Sequence, residues 1–325
     1  MQFPHYHRPN AFVFLDDDSS YLETLASILP KEWPARFFTN AAQCMAYITQ
    51  GQNTGWQNDM VAHQTLIDGW RANKSLIPAI LEYWKNNGLR YGLTKVCVVD
   101  FSMPAMNGLH FLQQLPSWLT NRVLLTGKAD EHIAVEAFNN GIIDRFVPKQ
   151  THQIGKHLVK VLTQLHDQPI AFYDGIWSNV LKKDQFAILQ ESTILRALKE
   201  IVEERQWVEY FVIPEPFGIL ALDQFSRAHW LQLELANDLA SVADLAQSTG
   251  ESLDAVRQIR EGTHLPNTEL IQALNVDEKT SVRPSFSIGQ SKSLLGAHFR
   301  IFPEMTFGIS HQQYLANWPP HSISE

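Results

Sequence analysis

Along the first 165 residues, short apolar runs alternate with stretches whose apolar positions recur every three or four residues. The runs at 12–15, 36–38, 96–99, 123–125 and 145–147 are predicted strands, and the periodic stretches at 20–29, 41–48, 109–115, 131–139 and 154–165 are predicted helices. None of the strands alternates with polar residues, so both of their faces must be covered. That pattern predicts a parallel sheet with helices on each side, a doubly wound α/β domain. About 40 residues, roughly 51–92, interrupt the rhythm between the second helix and the third strand. In them Leu66, Ile67, Trp70, Ile77, Ile80, Leu81 and Trp84 recur at helical spacing, which predicts a helical insertion packed on its own domain.

The pattern changes after a polar exit at His166-Asp167-Gln168-Pro169, dividing the chain into 1–166 and 167–325. A helix at 191–204 precedes strands at 208–213, 218–222 and 229–235, the first two joined by the turn Pro214-Glu215-Pro216. Helical patterns fill 237–273, and strand-like runs return at 285–288 and 297–302. Short strands joined by tight turns predict an α+β domain with an antiparallel sheet.

Composition narrows the function classes. With 26 Lys plus Arg against 34 Asp plus Glu, the formal net charge is −8. The first 150 residues contribute −1 and the remainder −7. Such a balance repels phosphate backbones and anionic membrane surfaces. The run 11–15 is too short for a signal or a span and is followed by three aspartates, so a soluble protein of the cytoplasm is expected. Cys44 and Cys97 both lie in apolar surroundings and predict packing roles rather than a disulfide framework or zinc site. The 13 histidines show no metal-binding spacing.

Ligands of doubly wound sheets collect at the C-terminal ends of the strands. Asp16, Asp17 and Asp18 follow the first strand, and Asp100 follows the third, its neighbour in the usual 2-1-3-4-5 order. Carboxylates gathered at one rim repel each other, and a hard divalent cation such as Mg²⁺ is the expected neutraliser. The fourth strand ends in Thr126-Gly127 and the fifth in Pro148-Lys149, adding a hydroxyl and an ammonium. Together these groups suit a phosphoryl group, with Asp100 as a nucleophile for it. Gly108 is expected to serve a turn.

These motifs, FVFLDDD, VCVVDFSMPAMNG, VLLTG and GIIDRFVPK, resemble the receiver domain of two-component response regulators, in order and each at the end of a predicted strand. The resemblance covers about the first 165 residues and implies a flavodoxin-like (βα)5 fold. It makes Asp100 the phosphorylated residue, and Asp16, Asp17, Asp100 and the backbone carbonyl of Ser102 the Mg²⁺ ligands. Thr126 and Lys149 become the phosphate contacts, with Phe146 as the switch aromatic. It further implies phosphoryl transfer from a sensor histidine kinase or phosphotransfer protein. Homodimerisation would follow through the face of the fourth helix, fifth strand and fifth helix. Lys149 is followed by Gln150 where the family usually has proline, and that departure bears on the geometry of the loop.

In the second part, Ala246, Gly250 and Val256 fall at helix-turn-helix spacing, with Leu245 and Ile259 at core positions and Arg257 and Arg260 as DNA-contact candidates. Against this reading stand Thr249 and Glu251 at positions that normally face a core, and the net charge of −7. The alternative is a helical pair packed beside the sheet. No Gly-rich phosphate loop, Ser-His-Asp order or metal signature is present, so no enzyme activity is expected beyond self-catalysed phosphoryl transfer and dephosphorylation. A receiver joined to an α+β output other than a winged helix resembles, in architecture, the response regulators of α-hydroxyketone quorum sensing. A DNA-binding transcription factor and an unphosphorylated receiver-like scaffold are the rival readings.

Overall fold

The computed structural model describes residues 3–104, 106–118, 121–127, 130–290, 292–318 and 323–324. The chain forms two compact units: residues 9–61, 89–170 and 314–325 make one, and residues 1–8, 62–88 and 171–313 the other.

In the first unit the strands Ala35–Phe38, Ala11–Leu15, Thr94–Asp100, Asn121–Thr126 and Arg145–Pro148 lie side by side in that order, all parallel. This is the anticipated 2-1-3-4-5 sequence. Successive side chains point to opposite faces, and both faces are apolar. Phe12, Phe14, Val96, Val98, Val123 and Leu125 meet Leu22 and Leu25 of helix Ser19–Ile28 and Leu158 and Leu162 of helix Ile154–Asp167. Val13, Leu15, Cys97, Val99 and Leu124 meet Cys44, Ile48, Phe111, Leu112, Ala134 and Ala137 on the other side. Both cysteines are free and buried within this second layer. One strand escaped the sequence pattern: Ile323–Ser324 adds in parallel to the outer edge of Ala35–Phe38.

The second unit is built on a mainly antiparallel sheet in the order Tyr6–His7, Trp207–Pro214, Phe217–Asp223, Ala228–Leu235, Leu294–Ile301 and Phe286–Ser287. Leu189, Ile194 and Leu198 cover one face through Trp207, Val212, Ile219, Leu231 and Leu233. The helices Leu239–Ser248 and Leu253–Arg260 pack on each other through Ala243, Ala246, Val256 and Ile259.

Three features differ from a single boundary after residue 166, the first being that residues 314–325 return to the parallel unit. Residues 1–8 join the antiparallel unit because Tyr6–His7 pairs with Trp207–Pro214. The insertion is helical as anticipated, comprising a π-helical turn Tyr47–Gln52 and helices Asn53–Arg71 and Leu76–Asn86. The last of these belongs to the antiparallel unit rather than to the parallel one. Its Tyr83 and Trp84 rings pack on Phe211, alongside Tyr6, His63 and Trp177. Burying such large rings outweighs the short sequence distance to the parallel sheet.

On strand Ala228–Leu235 the indole of Trp230 donates to Gln232 at 2.6 Å, and the Gln232 amide donates to Glu234 at 2.6 Å. Burial pushes the Glu234 carboxyl up to about 8. The folded state therefore holds a proton that the unfolded chain releases near pH 4.5, so stability falls as pH rises from there to about 8. Glu234→Gln should exceed the wild type in stability at pH 8 by an amount on the order of 1–3 kcal/mol. Denaturant unfolding should show this advantage disappearing near pH 4.5; an advantage independent of pH would refute it.

Candidate functional site

At the C-terminal rim of the parallel sheet, four strand ends deliver one polar group each. The backbone N–H of Asp16 donates to the Phe38 carbonyl at 3.1 Å, extending the ladder one residue past Leu15. Asp100 is the last residue of its strand, and Thr126 the last of the next. Lys149 follows Pro148, and its N–H donates to the Thr126 carbonyl at 2.8 Å. Backbone pairing thus fixes all four positions before any side chain is considered.

The three aspartates after the first strand divide the work. Asp16 is buried, and its carboxylate accepts from the Asp18 backbone at 3.0 Å. Asp17 is exposed. Asp18 caps helix Ser19–Ile28, accepting from the backbones of Ser20 and Tyr21. The Ser20 hydroxyl and these amide donors hold the Asp18 carboxyl below the usual range.

The Lys149 ammonium joins the two buried acids, 2.7 Å from Asp16 and 2.8 Å from Asp100, which are 1% and 5% exposed. Burial alone would lower the Lys149 pKa, but hydrogen bonds to Asp100 and Asp16 carry it above its usual value. Desolvation raises the Asp16 pKa, an effect that Lys149 and the Asp18 amide only partly oppose. Ligand oxygens of Asp16, Asp17 and Asp100 lie within 4.8 Å of one another. Three carboxylates against one ammonium leave an excess of two negative charges. A hard oxygen donor set with that excess fits a divalent cation such as Mg²⁺.

The loop after Asp100 is shaped by close approach. The Ser102 N–H donates to Asp100 Oδ2 at 3.1 Å, and the Gly108 N–H to the Phe101 carbonyl at 3.0 Å. A Cβ on Gly108 would fall 1.9 Å from the Asp100 carbonyl oxygen, so only glycine allows this return. Gly108 serves a turn whose far side is the backbone of the site itself. Among the described residues the one cis peptide is Glu215–Pro216, and Lys149 reaches both acids without a proline after it.

Thr126 is fully buried, and its hydroxyl has no hydrogen-bond partner among the described residues. Phe146, half-buried, packs in the layer with Val99 and Leu124. Sequence reasoning missed Tyr21. Its ring centroid lies 4.5 Å from the Lys149 ammonium and its buried hydroxyl is without a partner among the described residues, while burial raises its pKa. The available signal was its place in the first turn of the helix capped by Asp18.

Arg257 and Arg260 lie elsewhere, in the antiparallel unit. Arg257 pairs with Asp254, and Arg260 with Asp244 at 2.5 Å, so their charges are compensated where they stand. Thr249 is exposed and bonds back to helix carbonyls, while Glu251 accepts from the Thr280 hydroxyl.

No protein-family model matches the sequence, and neither does any curated protein. Among solved structures, the Legionella pneumophila response regulator LqsR superposes with a TM-score of 0.75 at 21% identity, covering 98% of this chain and 97% of its own. The chain therefore shares the fold of that response regulator. Receiver-domain proteins from Clostridium thermocellum and Methanospirillum hungatei cover 49% and 48% of the chain, at 13% and 17% identity and TM-scores of 0.32 and 0.31. They span 94% of their own lengths. No described helix is long and apolar enough to cross a membrane.

Replacing the central cation tests the electrostatics directly. Lys149→Met should cost about 2 kcal/mol at pH 7, because two buried carboxylates lose their counter-charge. The deficit should shrink as pH falls and the acids take up protons, and also when millimolar Mg²⁺ is added. Thermal unfolding across pH 4–7 with and without the metal measures both; a constant deficit would show that Lys149 acts by packing alone.

Proposed function

We propose that this chain is a two-component response regulator whose receiver unit is phosphorylated on Asp100 by a sensor histidine kinase or phosphotransfer protein. The observation that carries this reading is the Lys149 ammonium seated between Asp16 and Asp100 at one rim, with Asp17 beside them. The fold it shares with LqsR along nearly its whole length adds support.

In the proposed reaction an Asp100 carboxylate oxygen attacks the phosphorus of a phosphohistidine. The phosphorus–nitrogen bond breaks as the new phosphorus–oxygen bond forms, and the electron pair leaves with the imidazole, which then takes up a proton. Lys149 pairs with the incoming phosphoryl oxygens and holds Asp100 in place. Asp16, Asp17, Asp100 and the Ser102 carbonyl would hold Mg²⁺, which supplies charge neutralisation for the transferred group. The Thr126 hydroxyl, without a partner among the described residues, is a donor held in reserve for a phosphoryl oxygen. Its inward movement would free space for Phe146, altering the face of helix Glu131–Asn139, strand Arg145–Pro148 and helix Ile154–Asp167. Val135 and Phe138 are exposed on that first helix, and a dimer formed through this face would cover them. The antiparallel unit is then the output domain, in the architecture of α-hydroxyketone quorum-sensing regulators. Arg257 and Arg260, already paired, give no support to a DNA-reading helix.

Incubation with acetyl phosphate and Mg²⁺ should add one phosphoryl group by intact mass, removable with hydroxylamine. Asp100→Asn and chelation of the metal should each abolish the gain. Equal labelling of Asp100→Asn would end the proposal. On size-exclusion chromatography the phosphorylated wild type should shift toward a dimer. Phe138→Asp should be phosphorylated normally yet elute as a monomer, and an unaltered shift in that variant would move the interface elsewhere.

A further inference from the structure

The antiparallel unit gathers unpaired cations at one end of its sheet. Asp223 closes strand Phe217–Asp223 and faces Trp207 across the ladder. His229 Nε2 lies 3.3 Å from Asp223 Oδ2, and His229 Nδ1 lies 3.0 Å from His298 Nε2. The two imidazoles stack at 5.2 Å, and the Trp207 ring is 6.0 Å and 6.1 Å from them. Arg300 stands opposite His229 in the ladder and, two residues beyond His298, points to the same face. The Arg205 guanidinium carbon is 6.0 Å from the Trp207 ring.

The charges here do not balance. Asp223 is engaged by the Arg227 side chain at 2.7 Å and by the backbones of Phe225 and Arg227 at 2.9 Å and 3.0 Å. Arg205, Arg283 and Arg300 have no ion pair among the described residues. Burial pushes His298 down to about 3, and the charges of Arg205, His229, Arg300 and Arg283 add to the effect. Beside them Trp207 is only 4% exposed, and its indole N–H has no acceptor among the described residues. A buried donor left unmade costs about 1–3 kcal/mol, and converging like charges add to the cost. Both penalties are relieved by the same thing, a negatively charged acceptor.

We propose that this end of the antiparallel sheet binds a phosphate-class oxyanion carrying two or more negative charges, gripped by Arg205 and Arg300 and reached by the Trp207 indole N–H. Arg205 and Arg300, without an ion pair among the described residues, match a dianion better than a carboxylate, and planar guanidinium groups suit its oxygens bidentately. Arg283 contributes charge, and Arg227 remains with Asp223.

The test uses the full chain in the presence of a chelator, so that no divalent ion draws phosphate to the acidic rim. Inorganic phosphate is titrated at constant ionic strength while the ring protons of His229 and His298 are followed by NMR. A saturable shift is expected. Arg205→Gln and Arg300→Gln should each weaken it at least about fivefold. Arg257→Gln, which removes the same charge from a site paired with Asp254, should leave it unchanged. No saturable shift, equal weakening by Arg257→Gln, or acetate competing as well as phosphate would each overturn the proposal. A parallel titration with phenyl phosphate separates the sources. Tighter binding than inorganic phosphate points to a phosphomonoester ligand, and equal or weaker binding to free phosphate.

Discussion

The buried contact of Lys149 with Asp16 and Asp100 is the interaction around which the parallel unit is arranged. Two carboxylates this far from water repel strongly, and one ammonium between them reduces that repulsion without abolishing it. The arrangement therefore holds the acids close while leaving them short of neutral. A purely structural ion cluster would be expected to end in balance. Here the excess is kept at a rim where Asp17 is open to solvent.

Holding that contact requires three strand ends to stop in line, which is a matter of sheet register. Asp16, Asp100 and Lys149 lie on or one residue past their strands because parallel pairing aligns Leu15 with Val99, Asp100 with Leu125 and Thr126 with Pro148. Slippage by one residue would take these groups out of line at the rim. The near-continuous apolar strands make such slippage costly on either face, so the hydrophobic layers and the polar rim specify each other. Gly108 adds a local condition, since the loop below Asp100 closes only where no side chain intervenes.

The strand–helix rhythm and the rim residues were legible in the sequence because each is written locally: an apolar run, then the chemically distinctive residue at its end. The distinct tasks of Asp16, Asp17 and Asp18 were not, because burial, exposure and capping depend on where the chain turns after Leu15. Tyr21 was hidden for a related reason, as its meeting with Lys149 joins residues 128 positions apart that share no motif. The edge strands Tyr6–His7 and Ile323–Ser324 are two residues long, too short for any periodicity to register. The allegiance of helix Leu76–Asn86 was misjudged because its stripe shows that it is buried but not against what; Phe211 supplies the answer from far along the chain.

What separates functional charge from structural charge in this molecule is compensation. Arg257 and Arg260 looked like candidates for contact with nucleic acid, yet each meets an aspartate at the surface. The acidic rim has the opposite character, with surplus negative charge beside two hydroxyls, those of Thr126 and Tyr21, that have no partner among the described residues. The end of the antiparallel sheet mirrors it, with Arg205 and Arg300 beside a Trp207 indole that has no partner among the described residues. Folding selects against either defect alone, because an unmade hydrogen bond and an unbalanced charge both raise the free energy of the native state. Their coincidence at two places, with opposite sign, is the arrangement expected of surfaces completed by a ligand rather than by the chain itself.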